Sequence, residues 1–277
     1  MVLDKIFKDF NMSKKGYRFR DKVSILSILL LTSMPWIILR RHPRIFRFRE
    51  RLRAKVLMRS IIKFRGCLFI PIASESLMIL SDFFEPMHFY YIRKALNRKS
   101  SCTFVDVGAH IGRYTIIVGK YYAAKVVALE PESLNYTILM NNVRLNQLKN
   151  VFCYKAAAWN RNGEVFLHLS HSEGEHSVVT NFSIKSERVR AVKLDSIAAF
   201  DVALIKIDVE GAELEVLDGA RKTIEQNKPA LIIEVRRENW EKMKEFLKGF
   251  GYNCEIIHGS EIPEAFDIFC EVTERLS

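Results

Sequence analysis

No Cys-x-x-Cys pair, no third glycine to complete a G-x-G-x-x-G run and no internal repeat occurs in these 277 residues. The five cysteines (Cys67, Cys102, Cys153, Cys254, Cys270) are odd in number and widely spaced. That spacing offers no zinc site, and reduced, mostly buried thiols are the expected state. The missing glycine removes the dinucleotide fingerprint and puts a nicotinamide oxidoreductase last among the readings. The lack of repeats and low-complexity tracts excludes solenoids and disordered linkers. The length fits one large domain, or one domain with an extension.

Acidic residues are scarce at one end only. Residues 1–100 hold 22 of the 43 Lys and Arg but 7 of the 32 Asp and Glu, a net +15, which leaves the remainder at −4. A basic segment is therefore attached to an ordinary, slightly acidic domain. Charge of either sign is absent from Val23 to Leu39, VSILSILLLTSMPWIIL. As a helix this segment is about 25 Å long, short of a hydrocarbon core of about 30 Å. Pro35 interrupts it. No cleavage site follows, so it is not a signal peptide. Both flanks are basic, whereas a spanning helix shows a bias between its two sides. Arg40 to Arg65 then mixes eleven basic residues with Ile45, Phe46, Phe48, Leu52, Val56, Ile61 and Ile62. That composition predicts an interfacial amphipathic helix on an anionic membrane surface.

Residues 1–65 are accordingly expected to attach the protein peripherally or monotopically to the cytoplasmic face of a membrane, with 66–277 forming the main domain. Packing of these helices on that domain, or on a second subunit, is one alternative. An RNA-binding arm is another, but exposed leucines serve no purpose in a phosphate groove.

The main domain is organised around Phe104 to Gly112, F-V-D-V-G-A-H-I-G. An apolar strand carrying Asp106 meets Gly108, and a helical spacing begins after Gly112. Such a turn frees backbone N–H groups at a helix start for a polar ligand. At the carboxyl end of a parallel strand it cradles a nucleotide-like cofactor. A second strand, Val126 to Glu130, ends in an acid suited to two ribose hydroxyls. The remaining pattern alternates strands with helices: strands 102–107, 125–130, 151–157, 164–169, 189–194, 203–208, 230–235, 253–257 and 266–273, and helices 112–123, 132–147, 212–226 and 239–248. Gly66 to Leu80 reads as a hairpin of two short strands, and Phe84-Glu85-Pro86 opens a helix to about Asn97. This is an α/β fold with a mostly parallel sheet and one antiparallel strand pair at an edge.

Lys206-Ile207-Asp208-Val209-Glu210-Gly211-Ala212-Glu213 is the most specific stretch. Lys206 and Asp208 share one face of an otherwise apolar strand, where charge is costly unless paired or used. Three carboxylates, Asp208, Glu210 and Glu213, and an amine are thus expected to converge at a strand tip beside the cofactor turn. A local salt-bridge and capping network is the plain alternative.

VDVGAHIG (105–112), Glu130-Pro131, Asn142 and Asn146, KIDVEGAELEVLDGA (206–220) and Ile232-Ile233-Glu234 together resemble the FkbM family of methyltransferases over residues 66–275. His110 stands where that family usually has Asn. The resemblance implies a Rossmann-like class I methyltransferase fold with a seven-stranded sheet, S-adenosyl-L-methionine as cofactor, and O-methylation of a hydroxyl. Asp106, Gly108, Ala109, His110, Gly112, Glu130, Pro131 and Ala157 are the candidates for holding the cofactor. Asp208 is the candidate base, with Lys206 or Glu210 orienting it or replacing it. Glu234 is placed to bind the acceptor or to tune Asp208 by like-charge proximity. No Asn-Pro-Pro-Tyr or Asp-Pro-Pro-Tyr follows the 203–208 strand, which favours a hydroxyl over an exocyclic amine. The expected acceptor is a glycan, glycolipid or other amphiphilic metabolite, with ribose hydroxyls of RNA or a non-catalytic binding role as alternatives.

No metal is expected, although Asp208, Glu210 and Glu234 would suit Mg²⁺. His168, His171 and His176 read as solvated loop residues. Trp159 and Tyr154 either edge an adenine or pack in the core. Self-association is left open.

Overall fold

In the computed structural model the described residues are 18, 20–23, 55–72, 74–97, 102–122, 125–169, 185–197, 201–258 and 264–272. They divide into two compact units, one of residues 1–84 with 140–147, the other of 85–139 with 148–277. The uncharged segment beyond Val23 and residues 40–54 of the arginine-rich helix lie outside the described residues; of the rest of that helix, 55–57 are helical, but Ile62–Phe64 form a strand instead. The Ser170–Thr180 loop with His171 and His176 also lies outside the described residues. Among the described residues no helix is long and apolar enough to cross a membrane.

In the first unit β1 (Ile62–Phe64) and β2 (Cys67–Phe69) form an antiparallel hairpin, followed by helix α1 (Ser74–Ile79). The expected hairpin over Gly66–Leu80 is thus displaced: its first strand is β2, but Ser74–Ile79 coils instead of pairing. Ser76 Oγ accepts the Ile72 N–H at 3.1 Å, a local cap that starts the helix. Asn142 and Asn146 bind the backbone beyond the hairpin as a strand would. Asn146 accepts the Leu68 N–H at 2.9 Å and donates to the Leu68 carbonyl at 2.6 Å. Asn142 does the same at Ile70, at 2.7 and 3.4 Å. Two amides four residues apart, one in the last turns of a helix and one just past its end, therefore satisfy alternate residues along the outer side of β2 and its continuation.

The second unit begins with α2 (His88–Leu96), β3 (Thr103–Val107), α3 (Arg113–Tyr121), β4 (Lys125–Leu129) and α4 (Ser133–Leu145), whose last turns belong to the first unit. It continues with β5 (Val151–Tyr154), β6 (Ala157–Ala158), β7 (Gly163–Leu169), β8 (Lys185–Val192) and β9 (Val202–Ile207). Helices α5 (Glu213–Asp218) and α6 (Arg221–Asn227), strand β10 (Ala230–Arg236), helix α7 (Trp240–Gly249) and strands β11 (Tyr252–His258) and β12 (Ala265–Val272) complete it.

Seven strands form one sheet in the order β11-β12-β10-β9-β3-β4-β5. The β5-β4-β3-β9-β10 neighbours are parallel and β12 is antiparallel to both of its partners, as the α/β reading required. The reversed strand stands one place in from the edge. β3 and β9 are buried along their whole length, which explains their unbroken apolar sequence. A separate three-stranded sheet, β6-β8-β7, buries Ala157, Val165, Leu167, Val189 and Ala191.

Three expectations change here. The strand read over 151–157 divides into β5 and β6, which belong to different sheets. The helix read over 212–226 is broken into α5 and α6. The Gly219 carbonyl takes the Asp195 N–H at 3.0 Å, and Asp195 Oδ1 accepts the Thr223 N–H and hydroxyl, both at 2.9 Å. An acid from a distant segment therefore caps α6 and ends α5. The cysteines are also not all free. Cys254 and Cys270 stand directly opposite on β11 and β12 and are joined by a disulfide; Cys67, Cys102 and Cys153 are free. The cross-strand register brings the two together, and a sequence separation of 16 does not reveal it.

Candidate active site

Parallel pairing sets β3 beside β9 with Asp106 opposite Lys206 and Val107 opposite Ile207. The two tips stay in contact beyond the strands. The Asp208 N–H donates to the Val107 carbonyl at 3.0 Å. At Gly108, with φ of +80°, a Cβ would stand 1.8 Å from the Asp208 carbonyl oxygen. Only glycine fits both that backbone and that approach.

The cofactor candidates follow from this corner. Asp106 is buried, and its Oδ2 accepts the Thr115 N–H at 3.0 Å and the Thr115 hydroxyl at 2.5 Å. It thereby fixes the first turn of α3 against β3. Burial, the dominant cause, raises its pKa above the ordinary value although Lys206 and Thr115 oppose the shift. Gly108 and Ala109 both donate their N–H groups to the Leu129 carbonyl at 3.0 Å. His110 adopts the left-handed region with φ of +52°, a conformation that Asn and His tolerate better than most residues. That explains the exchange of one for the other at this position. Gly112, with φ of +88°, precedes α3, where a Cβ would press on Leu139 at 2.6 Å.

The His110 N–H reaches Glu130 Oε2 at 2.8 Å, and Glu132 N–H reaches Oε1 at 2.9 Å. Glu130 is buried, and burial pushes its carboxyl up to about 7. Asn135 adds a side-chain hydrogen bond, and the acceptor capacity that is left can take a further donor. Pro131 follows it, half-buried. Ala157 lies in β6 with its side chain in the core of the small sheet. Trp159 packs against that same core and Tyr154 against the large one, so core packing accounts for both rings.

On the β9 side Lys206 is buried and its Nζ stands 2.8 Å from Asp208 Oδ2. Burial opposes the ammonium charge, but Asp208, Glu85 and Asp106 outweigh it and hold its pKa above the usual value. For Asp208 burial likewise opposes ionisation, and Lys206 overcomes it, so the carboxyl is held below the usual range. Glu234, on β10, is pushed far the other way: the Asp208 charge is the main cause, then burial, then Glu210. Asp208, Glu210 and Glu234 bring carboxylate oxygens within 4.8 Å of one another. The Asp208 charge therefore favours the protonated form of Glu234, while Lys206 favours the ionised form of Asp208. Glu210 has φ of +54° and is paired with Arg236. Glu213 is not in this group. Fully buried, it accepts the Gly211 N–H at 2.6 Å and clamps the turn. The third acid of the cluster is Glu234, from the next strand.

Sequence reasoning missed Glu85, His88, Tyr114, Arg236 and Asp267. Tyr114 donates its hydroxyl to Glu85 and presents its ring 5.0 Å from Lys206 Nζ. Asp267 stands opposite Glu234 in the β10–β12 register. An acid inside the apolar run of β12 is the same signal that singled out Asp208, and it was available at Asp267.

The family model described as the methyltransferase FkbM domain matches residues 106–254, more than half of the chain and less than the 66–275 over which the motifs suggested likeness. Methyltransferase sdnD of Sordaria araneosa is 29% identical over 182 residues, 52% of this chain and 69% of that protein. Among solved structures, methyltransferase FkbM of Methylobacillus flagellatus superposes with a TM-score of 0.51 at 16% identity. That alignment covers 95% of this chain, which spans 58% of the other. It shows the shared fold.

Proposed function

The chain belongs to the FkbM methyltransferase family, and from that premise we propose that it is an S-adenosylmethionine-dependent O-methyltransferase whose base is Asp208. The observation that carries the reading is the Lys206–Asp208 pair, held at the tip of β9 against the Gly108 turn. S-adenosylmethionine supplies an electrophilic methyl group. The residue that fits it is Glu130, a buried acid held at the end of β4 by the His110 and Glu132 N–H groups and of the type that accepts ribose hydroxyls.

Methyl transfer to oxygen asks little of the protein beyond alignment and removal of one proton. Lys206 keeps Asp208 ionised and its Oδ2 fixed. Asp208 would accept the proton of the acceptor hydroxyl as the oxygen–methyl bond forms and the sulfur–methyl bond breaks, the neutral thioether S-adenosylhomocysteine being the leaving group. Glu234, which retains its proton, donates a hydrogen bond to the acceptor or to Asp208, and so balances the charge that gathers there. Glu210 is drawn to Arg236, and this pair walls the acidic cluster.

The acceptor is a hydroxyl on a glycan, glycolipid or other amphiphilic compound at a membrane surface. What supports this is the uncharged run beside the basic flanks in residues 1–65. The test supplies methyl-labelled S-adenosylmethionine with lipid, polysaccharide and RNA extracts in separate reactions. Wild-type protein should label the lipid or polysaccharide fraction, and the label should survive mild alkali, as an ether does and a methyl ester does not. Asp208→Asn should bind cofactor normally and lose about 10²- to 10⁴-fold in transfer. Labelling of RNA alone would overturn the acceptor class. Full activity in Asp208→Asn would overturn the base.

A further inference from the structure

We propose that Glu85, His88 and Asp267 form a site for one divalent transition-metal ion of the zinc class. His88 opens α2 with its ring fully buried, and neither ring nitrogen makes a hydrogen bond. Its Nε2 lies 3.6 Å from Glu85 Oε2 and 3.7 Å from Asp267 Oδ1. Those separations exceed the 2.7–3.2 Å of a hydrogen bond. They are close to the edge of a tetrahedron built on metal–ligand bonds of about 2.1 Å, which is about 3.4 Å. The three residues each offer one ligand atom, and all three atoms lie within 4.8 Å of one another.

Charge leads to the same conclusion. Two buried carboxylates beside a buried imidazole make a donor set that a shared cation stabilises. The Tyr114 hydroxyl already donates to Glu85, and its ring stacks on His88 with centroids 5.7 Å apart. Such an outer partner fixes the orientation of a ligating group. An imidazole among the ligands selects Zn²⁺, Fe²⁺ or Ni²⁺ over Mg²⁺ or Ca²⁺. Three protein ligands leave one position open for water or another oxygen donor. The second acidic group, Asp208 with Glu210 and Glu234, is oxygen-only, and Lys206 and Arg236 already pair two of its members. The site stands or falls apart from methyl transfer.

The test uses the full chain, stripped with a chelator and titrated with Zn²⁺ by calorimetry, with metal content measured after dialysis. Co²⁺ serves as the spectroscopic probe. Wild type should retain one more equivalent of Zn²⁺ than His88→Gln, and should develop a tetrahedral Co²⁺ band that His88→Gln lacks. Asp267→Asn should weaken binding by more than about 100-fold, beyond the 10- to 100-fold expected for the outer partner in Tyr114→Phe. Glu210→Gln should bind as wild type does. Equal retention by wild type and His88→Gln overturns the site, as does loss of metal in Glu210→Gln alone. Circular dichroism checks folding. If His88→Gln is unfolded, the Co²⁺ band decides: its absence from wild type, or its persistence in Asp267→Asn, overturns the proposal.

Discussion

Replacing Gly108 by alanine tests the junction on which the site depends. The added Cβ would stand 1.8 Å from the Asp208 carbonyl oxygen and 2.9 Å from its carbon, so one strand tip must move by more than 1 Å. The backbone, with φ of +80°, adds a left-handed penalty of roughly 1–2 kcal/mol for any residue with a Cβ. Overpacking adds about 1–3 kcal/mol. The sum, about 2–5 kcal/mol, should lower the melting temperature by roughly 5–15 °C for a chain of this size. A base displaced by 1 Å should also cost about 100-fold in transfer. Differential scanning fluorimetry and the labelled-methyl assay read the two effects, with Gly249→Ala as the control. Gly249 ends α7 and a Cβ there meets nothing within 4 Å, so that variant should melt at or slightly above wild type. Should Gly108→Ala melt within about 1 °C of wild type and transfer methyl groups at full rate, the two tips are not in contact and the active-site geometry is wrong.

Cofactor affinity should depend on pH through Glu130. Its carboxyl sits at about 7 in the free protein because of burial, and ribose hydroxyls bind the ionised form better. Affinity should therefore rise with pH, approaching tenfold per unit below about 7, and level off above it. Glu130→Gln should bind more weakly and show no such slope; calorimetry from pH 5.5 to 8.5 makes the comparison, and a flat wild-type profile would remove Glu130 from the site. Asn146→Ala should leave the Leu68 N–H and carbonyl without their partner, a local cost of about 1–3 kcal/mol. Hydrogen exchange should speed up at Leu68 while Ile70, held by Asn142, and the β3 amides are unchanged. Equal protection of Leu68 in both proteins would show that the helix amide is not what covers that strand.

Local patterns were legible wherever the chain solves its problem within a few residues. β3 and β9 are buried on both faces, so their sequences are continuously apolar, and Asp106, Lys206 and Asp208 stand out because charge has no other reason to be there. The glycine turn after β3 was readable for a similar reason, since it demands residue types that few other positions demand. Helix boundaries failed where a distant group intervened. Asp195 caps α6 across the chain, and no spacing within 212–226 signals it.

Sequence alone fixed the parallel sheet, the two tips carrying Asp106 and Asp208, and the acid that ends β4, because period and burial are local consequences of residue type. Tertiary structure alone decided which acids meet. Strand order put Glu234 beside Asp208 and left Glu213 clamping its own turn, antiparallel register joined Cys254 to Cys270, and the same register set Asp267 opposite Glu234. The ionisation of each carboxylate followed from those neighbours. An electrostatic interaction depends on distance through space, and the chain carries no record of that distance until the sheet has closed.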